Sequence, residues 1–193
     1  MVTESDIMNM ALTRLGQSPI LDVDVSALQN AKTVRQHYPL ARDYCLRLGD
    51  WSFATKRVVL SPRPTAPAFG YTHQFDLPSD FLSEQFVCDL DGSDLCYELE
   101  GDRTLLCDSA GVRLVYTSKV EDTLLFNPEF TQLLKMQLAK EIAYPITLSE
   151  SIARSVQDEL EEMKIEYLSI DSKGNGFNIK REEIDWGVGS WLP

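Results

Sequence analysis

The sequence predicts an α+β fold, with helical segments at both ends of the chain and a small antiparallel sheet between them. Up to about residue 48, apolar residues recur at the spacing of helix turns. From Trp51 the pattern changes to short β-rich segments separated by turn residues, and after Asn127 helical spacing returns. A chain of 193 residues with 44% hydrophobic residues can bury a core, so we expect one domain or two small ones.

The first helix is predicted over residues 4–15, where apolar residues fall three and four positions apart. Its inward face is formed by Ile7, Met8, Ala11, Leu12 and Leu15. Thr3 or Ser5 can cap its amino end, and Gly16 ends it.

The second helix is predicted to begin at a cap on Ser26 and to run to about Leu48. Its predicted inward face contains Leu28, Ala31, Val34, Tyr38, Ala41, Cys45 and Leu48. Pro39 lies inside this helix, and we expect a kink there because proline lacks a backbone donor and crowds the preceding turn.

The middle of the chain has the features of antiparallel strands joined by tight turns. Candidate strands are residues 52–60, 71–76, 84–90, 95–100, 104–107 and 112–118. The Pro-rich residues 61–67 cannot form a central strand and must connect the first two. Turns between later strands are predicted at Asp91-Gly92, Gly101-Asp102 and Ala110-Gly111.

Two further helices follow. Asn127 caps the third, Pro128 suits its first position, and Pro145 is expected to stop it. Its inward residues are Phe130, Leu133, Leu134, Leu138 and Ile142. The fourth helix is predicted from about Ser149 to about residue 170. Its apolar stripe is Ile152, Val156, Leu160, Met163 and Tyr167. The acidic residues on its other faces are interpreted as solvated.

The last residues alternate apolar anchors with glycines after a predicted hinge at residues 173–176. The anchors are Ile184, Trp186, Val188, Trp191 and Leu192. Either this segment folds back on its own domain, or it docks onto another subunit. We favour docking, because tryptophan is costly to leave in water and is enriched at interfaces.

Charge and composition disfavour several classes of protein. A formal net charge of −12 predicts repulsion of polyanions, so tight nucleic-acid binding is not expected. No apolar run is long enough to span a bilayer, and the acidic start is unlike a signal peptide, so we expect a cytoplasmic product without membrane contact. The cysteines lack the close spacing of zinc or redox motifs, which predicts buried free thiols at Cys45, Cys88, Cys96 and Cys107.

The sequence offers little material for catalysis, and no metal or cofactor is expected. The only histidines are His37 and His73, and each is interpreted as having a structural role or as an ordinary surface residue. No nucleophile elbow, phosphate-binding glycine loop or zinc helix occurs. Carboxylate pairs could come from the 30 acidic residues, but any acidic protein offers such pairs. We therefore do not expect an enzyme.

Basic residues are concentrated in the first third of the chain, whereas the last third is acidic. The basic grouping contains Arg14, Arg35, Arg42, Arg47, Lys56 and Arg57. Such asymmetry suits packing in which one face of a subunit meets a different face of the next. Scattered solvated charge is the alternative.

Several short motifs together resemble a known family. The first are Ala11-Leu12-Thr13-Arg14-Leu15-Gly16 with Pro19-Ile20, then Ala31, Tyr38, Ala41-Arg42-Asp43 and Leu46. Further along are Trp51-Ser52-Phe53-Ala54-Thr55-Lys56-Arg57 and Phe75-Asp76-Leu77-Pro78-Ser79-Asp80-Phe81. In content and order these motifs resemble the tail tubular protein A family of short-tailed phages and related prophage adaptors.

This resemblance implies an up-down helical bundle, formed by residues 1–50 and 127–172, with a β insertion at residues 51–126. Residues 173–193 would form an extended arm that reaches the portal through the five anchors named above. Trp51, Phe53, Leu77 and Pro78 would form the structural junction between bundle and sheet.

The implied function is that of a virion protein, assembled in the host cytoplasm, which joins portal to tail as a ring expected to be dodecameric. Its partners would be further copies of itself, the portal, and the tail nozzle or other tail proteins. DNA would pass through the ring without specific binding. Two alternatives stay open: a tail-associated hydrolase of cell-wall polysaccharide, and a small interaction protein of the host.

Overall fold

The computed structural model describes residues 2–101 and 103–174, with side chains up to residue 165. The helices are α1 (Glu4–Arg14), α2 (Gln29–Leu48), α3 (Pro128–Thr147) and α4 (Glu150–Gly174). The strands are β1 (Thr55–Leu60), β2 (His73–Asp76), β3 (Phe81–Asp89), β4 (Tyr97–Glu100), β5 (Thr104–Cys107) and β6 (Val112–Ser118). A short 3-10 helix spans Thr123–Leu125. The general α+β class is confirmed.

Helix α3 is the central element of the helical part, because α1, α2 and α4 all pack against it. Its buried residues lie on several sides of the helix, as expected for a helix covered by neighbours. They are Phe130, Thr131, Leu133, Leu134, Met136, Gln137, Leu138, Ala139, Ile142 and Ala143. All five residues predicted to face inward are among them.

Helix α1 begins with a capping box. The Thr3 hydroxyl accepts a hydrogen bond from the Asp6 amide at 3.1 Å, and the Asp6 carboxylate accepts one from the Thr3 amide at 2.9 Å. Of the two predicted caps, Thr3 is therefore the one used. All five residues of this helix that were predicted to face inward are buried. They are Ile7, Met8, Ala11, Leu12 and Leu15.

Helix α2 differs from its prediction at its amino end. It begins at Gln29, and Leu28 stands at the cap position without a side-chain hydrogen bond. The prediction of a cap on Ser26 is wrong, because Ser26 belongs to a turn in which its amide donates to the Asp22 carbonyl. Leu28, predicted to face inward, is 60% exposed. The helix continues through Pro39.

Helix α3 continues past Pro145, so the prediction that this proline stops the helix is wrong. A proline removes only one backbone donor, and the bonds of the residues after it can still form. The helix ends at Leu148, which adopts a left-handed conformation with φ of 53° and donates its amide to the Tyr144 carbonyl. Helix α4 extends to Gly174, so the first two residues of the predicted hinge are helical.

The strands form two antiparallel three-stranded sheets, whereas one small sheet was predicted. The first sheet has the order β1-β6-β3 and the second β2-β5-β4. Apolar residues from both sheets share one cluster, which we call the sheet core. Its members include Leu60, Val87, Val112, Leu114 and Tyr116 from the first sheet, and Phe75, Leu105 and Cys107 from the second. The alternation of each strand predicted a buried face but not which strands would pair.

An aromatic cluster lies where α2 leads into the strands and where the chain returns to α3. The Trp51 ring meets Phe130 edge to face, with ring centroids 5.2 Å apart. Phe53 packs on both Phe126 and Phe130, at 5.7 and 5.2 Å. The Trp51 indole also donates to the Cys45 carbonyl at 2.9 Å. These contacts join the end of α2 to the start of α3.

Three of the four cysteines are buried as predicted, whereas Cys96 is exposed. Cys96 precedes β4, an edge strand of the second sheet, so one side of this segment has no neighbouring strand to cover it. Burial raises the pKa of the Cys45 thiol far above its usual range.

We expect thiol reagents to distinguish these cysteines. In the folded protein Cys96 should react rapidly, while Cys45, Cys88 and Cys107 should react only as the protein opens, because the attacking thiolate needs access to the reagent. Counting modified thiols by mass spectrometry, with and without denaturant, checks this. A Cys96→Ser variant is the control, and rapid modification of Cys45 in the folded state would contradict the burial described here.

Replacing Trp51 should strongly destabilise the protein. Trp51→Ala removes the contact with Phe130 and leaves a large cavity, so we expect the free energy of unfolding to fall by about 3–5 kcal/mol. Trp51→Phe keeps an aromatic ring and should cost less. Denaturant titration measures both. Phe69→Ala is the matched control, because Phe69 is 88% exposed and its loss should change stability by less than about 0.5 kcal/mol.

Candidate interaction surfaces

The residues predicted to bind a partner lie outside the described residues. They are Ile184, Trp186, Val188, Trp191 and Leu192. The predicted junction residues are described. Trp51 is buried and Phe53 half-buried in the aromatic cluster. Leu77 is buried within the sheet core, which is a separate cluster, and Pro78 is half-buried.

The segment that follows Pro78 ties together the strands of the first sheet. Asp80 accepts hydrogen bonds from Lys56 on β1, at 2.6 Å, and from the Tyr116 hydroxyl on β6, at 3.0 Å. Burial tends to raise the pKa of Asp80, but these two hydrogen bonds outweigh it and hold that pKa below its usual range. Residues Leu77-Pro78-Ser79-Asp80, which we call the Leu-Pro-x-Asp element, therefore end in a carboxylate that holds β1 and β6 together at the start of β3.

Most of the basic grouping noted in the sequence is used within the chain. Arg14 pairs with Glu159, and Arg47 donates to the Leu82 carbonyl. Lys56 bonds Asp80, as described above. These three side chains therefore have partners within the chain, and whether the grouping also contacts another subunit stays a prediction.

Arg42 is the most deeply buried of these cations, with only 3% of its surface exposed. It donates to Asp43 at 2.9 Å and to Glu121 at 3.2 Å, so its charge is compensated. Burial raises the pKa of the nearby Glu4, although the charge of Arg42 opposes this effect. The Arg42 hydrogen bonds join α2 to the segment after β6.

Arg35 holds a surface loop, residues 20–28, which we call the pinned loop. Its guanidinium donates to the carbonyl oxygens of Val23 at 2.9 Å, Ser26 at 3.1 Å and Asp24. At the start of the loop, the Asn9 amide side chain bonds both the amide and the carbonyl of Ile20, at 2.8 and 2.9 Å. The loop is therefore fixed at several points to the helices beneath it.

The pinned loop presents apolar and acidic side chains to solvent. Val23 is completely buried and anchors the loop, whereas Leu21 is fully exposed and Val25 is 78% exposed. Asp22 and Asp24 lie between these residues and are exposed. Exposed apolar side chains grouped on one loop make it a candidate binding surface.

A second surface lies on the face of the first sheet that points away from the sheet core. It contains Arg57 and Val59 of β1, Phe86 of β3, and Arg113 and Val115 of β6, and we call it the outer sheet face. The strand register places Val59 beside Arg113, and Val115 between Arg57 and Phe86. Together with neighbouring residues they line a pocket of about 390 Å³.

The charge and polarity of the outer sheet face complement those of the pinned loop. Val59 is 62% exposed, and Arg57 and Arg113 are exposed beside it. Phe86 and Val115 are half-buried between them. The face therefore offers an apolar patch flanked by positive charge.

The remaining polar residues that were considered for chemistry lie apart from these surfaces. His37 on α2 faces Glu141 on α3 at 3.4 Å, and His73 lies on β2 beside Phe75. In the described part of the chain, no group of three or more His, Cys, Asp or Glu side chains is arranged to hold a metal ion. None of the described helices combines the length and apolarity that crossing a membrane requires.

Both surfaces were missed in the sequence, although weak signals were present. In residues 20–28 the sequence pattern predicts only the helix cap at Ser26, yet this segment contains several apolar residues separated by aspartates. In β1, Val58 and Val59 are adjacent, so strict alternation requires one of them to face away from the core. An apolar residue on the solvent face is such a signal.

No protein-family model matches this chain, and no curated protein matches it either.

Removing Arg35 should loosen the pinned loop more than it destabilises the whole protein. In Arg35→Met, the loop loses hydrogen bonds from a charged donor, each contributing about 1.5–3 kcal/mol. We expect the Val25 and Ser26 amides to exchange with deuterium at least about tenfold faster. Arg154→Met is the control, since Arg154 forms only an exposed pair with Glu150. Unchanged exchange in the loop would mean that Arg35 does not hold it.

Proposed function

We propose that the chain is a non-enzymatic head-to-tail adaptor subunit of a bacteriophage particle. Copies of it form a ring, expected to be dodecameric, that joins the portal to the tail nozzle or other tail proteins. The ring lines part of the channel through which DNA leaves the head. In this proposal the residues 1–50 and 127–172 form an up-down bundle, residues 51–126 are inserted in it, and residues 173–193 form the arm.

The observation that carries this proposal is the display of apolar side chains on a rigid backbone. The pinned loop exposes Leu21 and Val25 while Arg35 holds its carbonyls, and the outer sheet face exposes Val59 between two arginines. A subunit that spends its functional life packed against neighbours needs such surfaces, and they are costly in a protein that stays monomeric.

The resemblance to the tail tubular protein A family supports the same role through the positions of its motifs. The Ala11–Gly16 motif lies on the buried side and at the end of α1, and the Trp51-x-Phe53 motif lies in the aromatic cluster. The Leu-Pro-x-Asp element contains Asp80, which holds β1 and β6 together. The motifs thus coincide with residues that pack helices together or tie strands of the first sheet to each other.

The charge of the chain supports a channel wall that does not retain DNA. A net charge of −12 gives a surface that repels phosphates, so DNA can move past it without binding tightly. Some exposed basic side chains are matched by carboxylates, as Lys56 is by Asp80 and Arg154 by Glu150.

Reconstitution with the portal protein of the parent phage tests this function. We expect the isolated chain to be a monomer or a loose oligomer and to form a closed ring on the portal, measured as a mass increase by native mass spectrometry. Deleting residues 174–193 should abolish attachment. A Trp186→Ala/Trp191→Ala double variant should weaken it without shortening the chain.

Electron microscopy of the parent particle gives the decisive outcome. Density for this chain at the vertex that bears the tail would support the proposal, and its absence from that vertex would overturn it.

A turbidity assay on peptidoglycan tests the hydrolase alternative. Clearing by the wild-type chain that carboxylate substitutions abolish would contradict a non-enzymatic role. A gene neighbourhood without portal and capsid genes would favour the host interaction protein instead.

A further inference from the structure

We propose that the pinned loop of one copy docks on the outer sheet face of the next copy, forming a head-to-tail contact that repeats around an assembly. This inference rests on the proposed function, because it identifies the contact by which copies of the chain meet. The occupant of the outer sheet face is thus a second copy of this chain, bound through Leu21, Val25 and the aspartates between them.

Opposite charge is the first argument for this pairing. The pinned loop presents Asp22 and Asp24, whose carboxylates accept hydrogen bonds from the Val25 amide and the Ser5 hydroxyl but stay exposed. The outer sheet face presents Arg113 and Arg57, both exposed, although Arg57 also interacts within the chain. Carboxylates that approach guanidinium groups at the rim of an apolar contact favour one partner and orient it. A chain with a net charge of −12 repels its own copies in general, so a local positive face determines where they can meet.

Apolar complementarity is the second argument. Leu21 and Val25 of the loop are exposed, and on the sheet Val59, Phe86 and Val115 surround a concave region of about 390 Å³. This volume lies within the range of clefts that bury small ligands, so aliphatic side chains can enter it. Removing these side chains from water stabilises the contact in proportion to the apolar area covered.

The third argument is that the loop needs little ordering before it binds. Arg35 and Asn9 already hold the loop backbone, and Val23 is anchored in the core. A surface that is ordered in the free protein loses less conformational entropy on association than a flexible segment does. The strands of the sheet are likewise fixed by pairing on β6.

The arrangement of charges favours a head-to-tail contact over a symmetric dimer. Two loops brought together would oppose Asp22 and Asp24 with their own copies, and two sheet faces would oppose Arg57 and Arg113. Like charges in close contact destabilise such pairs. When the loop of each copy binds the face of the next, the same contact repeats along a series of copies. The series forms a ring when the rotation from one copy to the next brings the last copy back to the first.

The contact is small, and it should be weak in isolation. Stable interfaces use about 20–30 residues on each side, whereas the loop and the face each offer only a few. A single contact should therefore form only at high protein concentration. Closure of a ring, or attachment to a common partner, adds the contacts together and strengthens the assembly.

Charge reversal tests the inference on the full-length chain. The loop-reversed variant carries Asp22→Arg and Asp24→Arg, and the face-reversed variant carries Arg57→Glu and Arg113→Glu. Sedimentation equilibrium at low salt measures the average mass across a concentration series. We expect the mass of the wild-type chain to rise with concentration, and each variant alone to associate at least about tenfold more weakly. An equal mixture of the two variants should recover association, because the reversed loop fits the reversed face.

A second pair of variants guards against misfolding. Val25→Ser should weaken association, whereas Ile165→Ser should not, although the two side chains are about equally exposed, at 78% and 76%. Since both positions are solvent-exposed, neither change should unfold the chain, and circular dichroism checks this. Loss of association in Ile165→Ser but not in Val25→Ser would overturn the role of the loop.

Three other outcomes would overturn the inference while leaving the adaptor function intact. Rings that form on the portal equally well with both charge-reversed variants would show that copies meet elsewhere. Association that depends on the face but not on the loop would mean a different acidic occupant. If deleting residues 174–193 abolishes association and loop reversal does not affect it, the C-terminal segment, and not the pinned loop, occupies the outer sheet face. Conversely, recovery in the mixture supports the inference even if the particle lacks the chain at its tail vertex.

Discussion

The edge-to-face contact between Trp51 and Phe130 is the interaction on which the rest of the structure depends. The chain leaves the helices after Trp51, forms both sheets, and returns just before Phe130. The beginning and end of the segment that forms the sheets are also joined by Ser118, whose amide and hydroxyl both donate to the Ala54 carbonyl, at 2.7 and 2.8 Å. Because the segment that follows α2 is joined to the segment that precedes α3, the sheets can form between these helices without separating them.

Buried and half-buried cations complete this framework by fixing segments that lack regular structure. Arg42 joins α2 to the segment after β6, and Arg35 holds the pinned loop through three carbonyl oxygens. A charged donor that satisfies several buried acceptors orders a loop that has few internal hydrogen bonds. The rigidity of the exposed surfaces therefore depends on polar contacts made beneath them. The hydrogen bonds of Arg35 thus connect the helical fold to the surface that the proposed assembly uses.

The candidate surfaces could be predicted only in part from the sequence. Helical spacing correctly identified the inward face of α1 and five buried residues of α3, because at least one face of each helix must contact a core. The other buried residues of α3 were not predicted, since neighbouring helices cover that helix on several sides. The pinned loop escaped prediction since its fixed backbone results from side-chain hydrogen bonds made by Asn9 on α1 and Arg35 on α2, which local periodicity does not indicate. The outer sheet face escaped prediction because it requires three strands to be paired in register. The predicted anchors at the C-terminus stay a prediction.

By itself, the sequence determined the α+β class, the positions of most helices and strands, and the apolar faces that they bury. These properties follow from local periodicity and from turn residues, which act within a few positions along the chain. Only the tertiary structure decided that the strands form two sheets and that α3 continues past Pro145. It also decided that Ser26 lies in a turn, not at a helix cap. The two sheets depend on pairing between segments far apart in the chain, which local patterns do not specify. At Pro145 and Ser26, context overrides a residue preference that is only a weak guide.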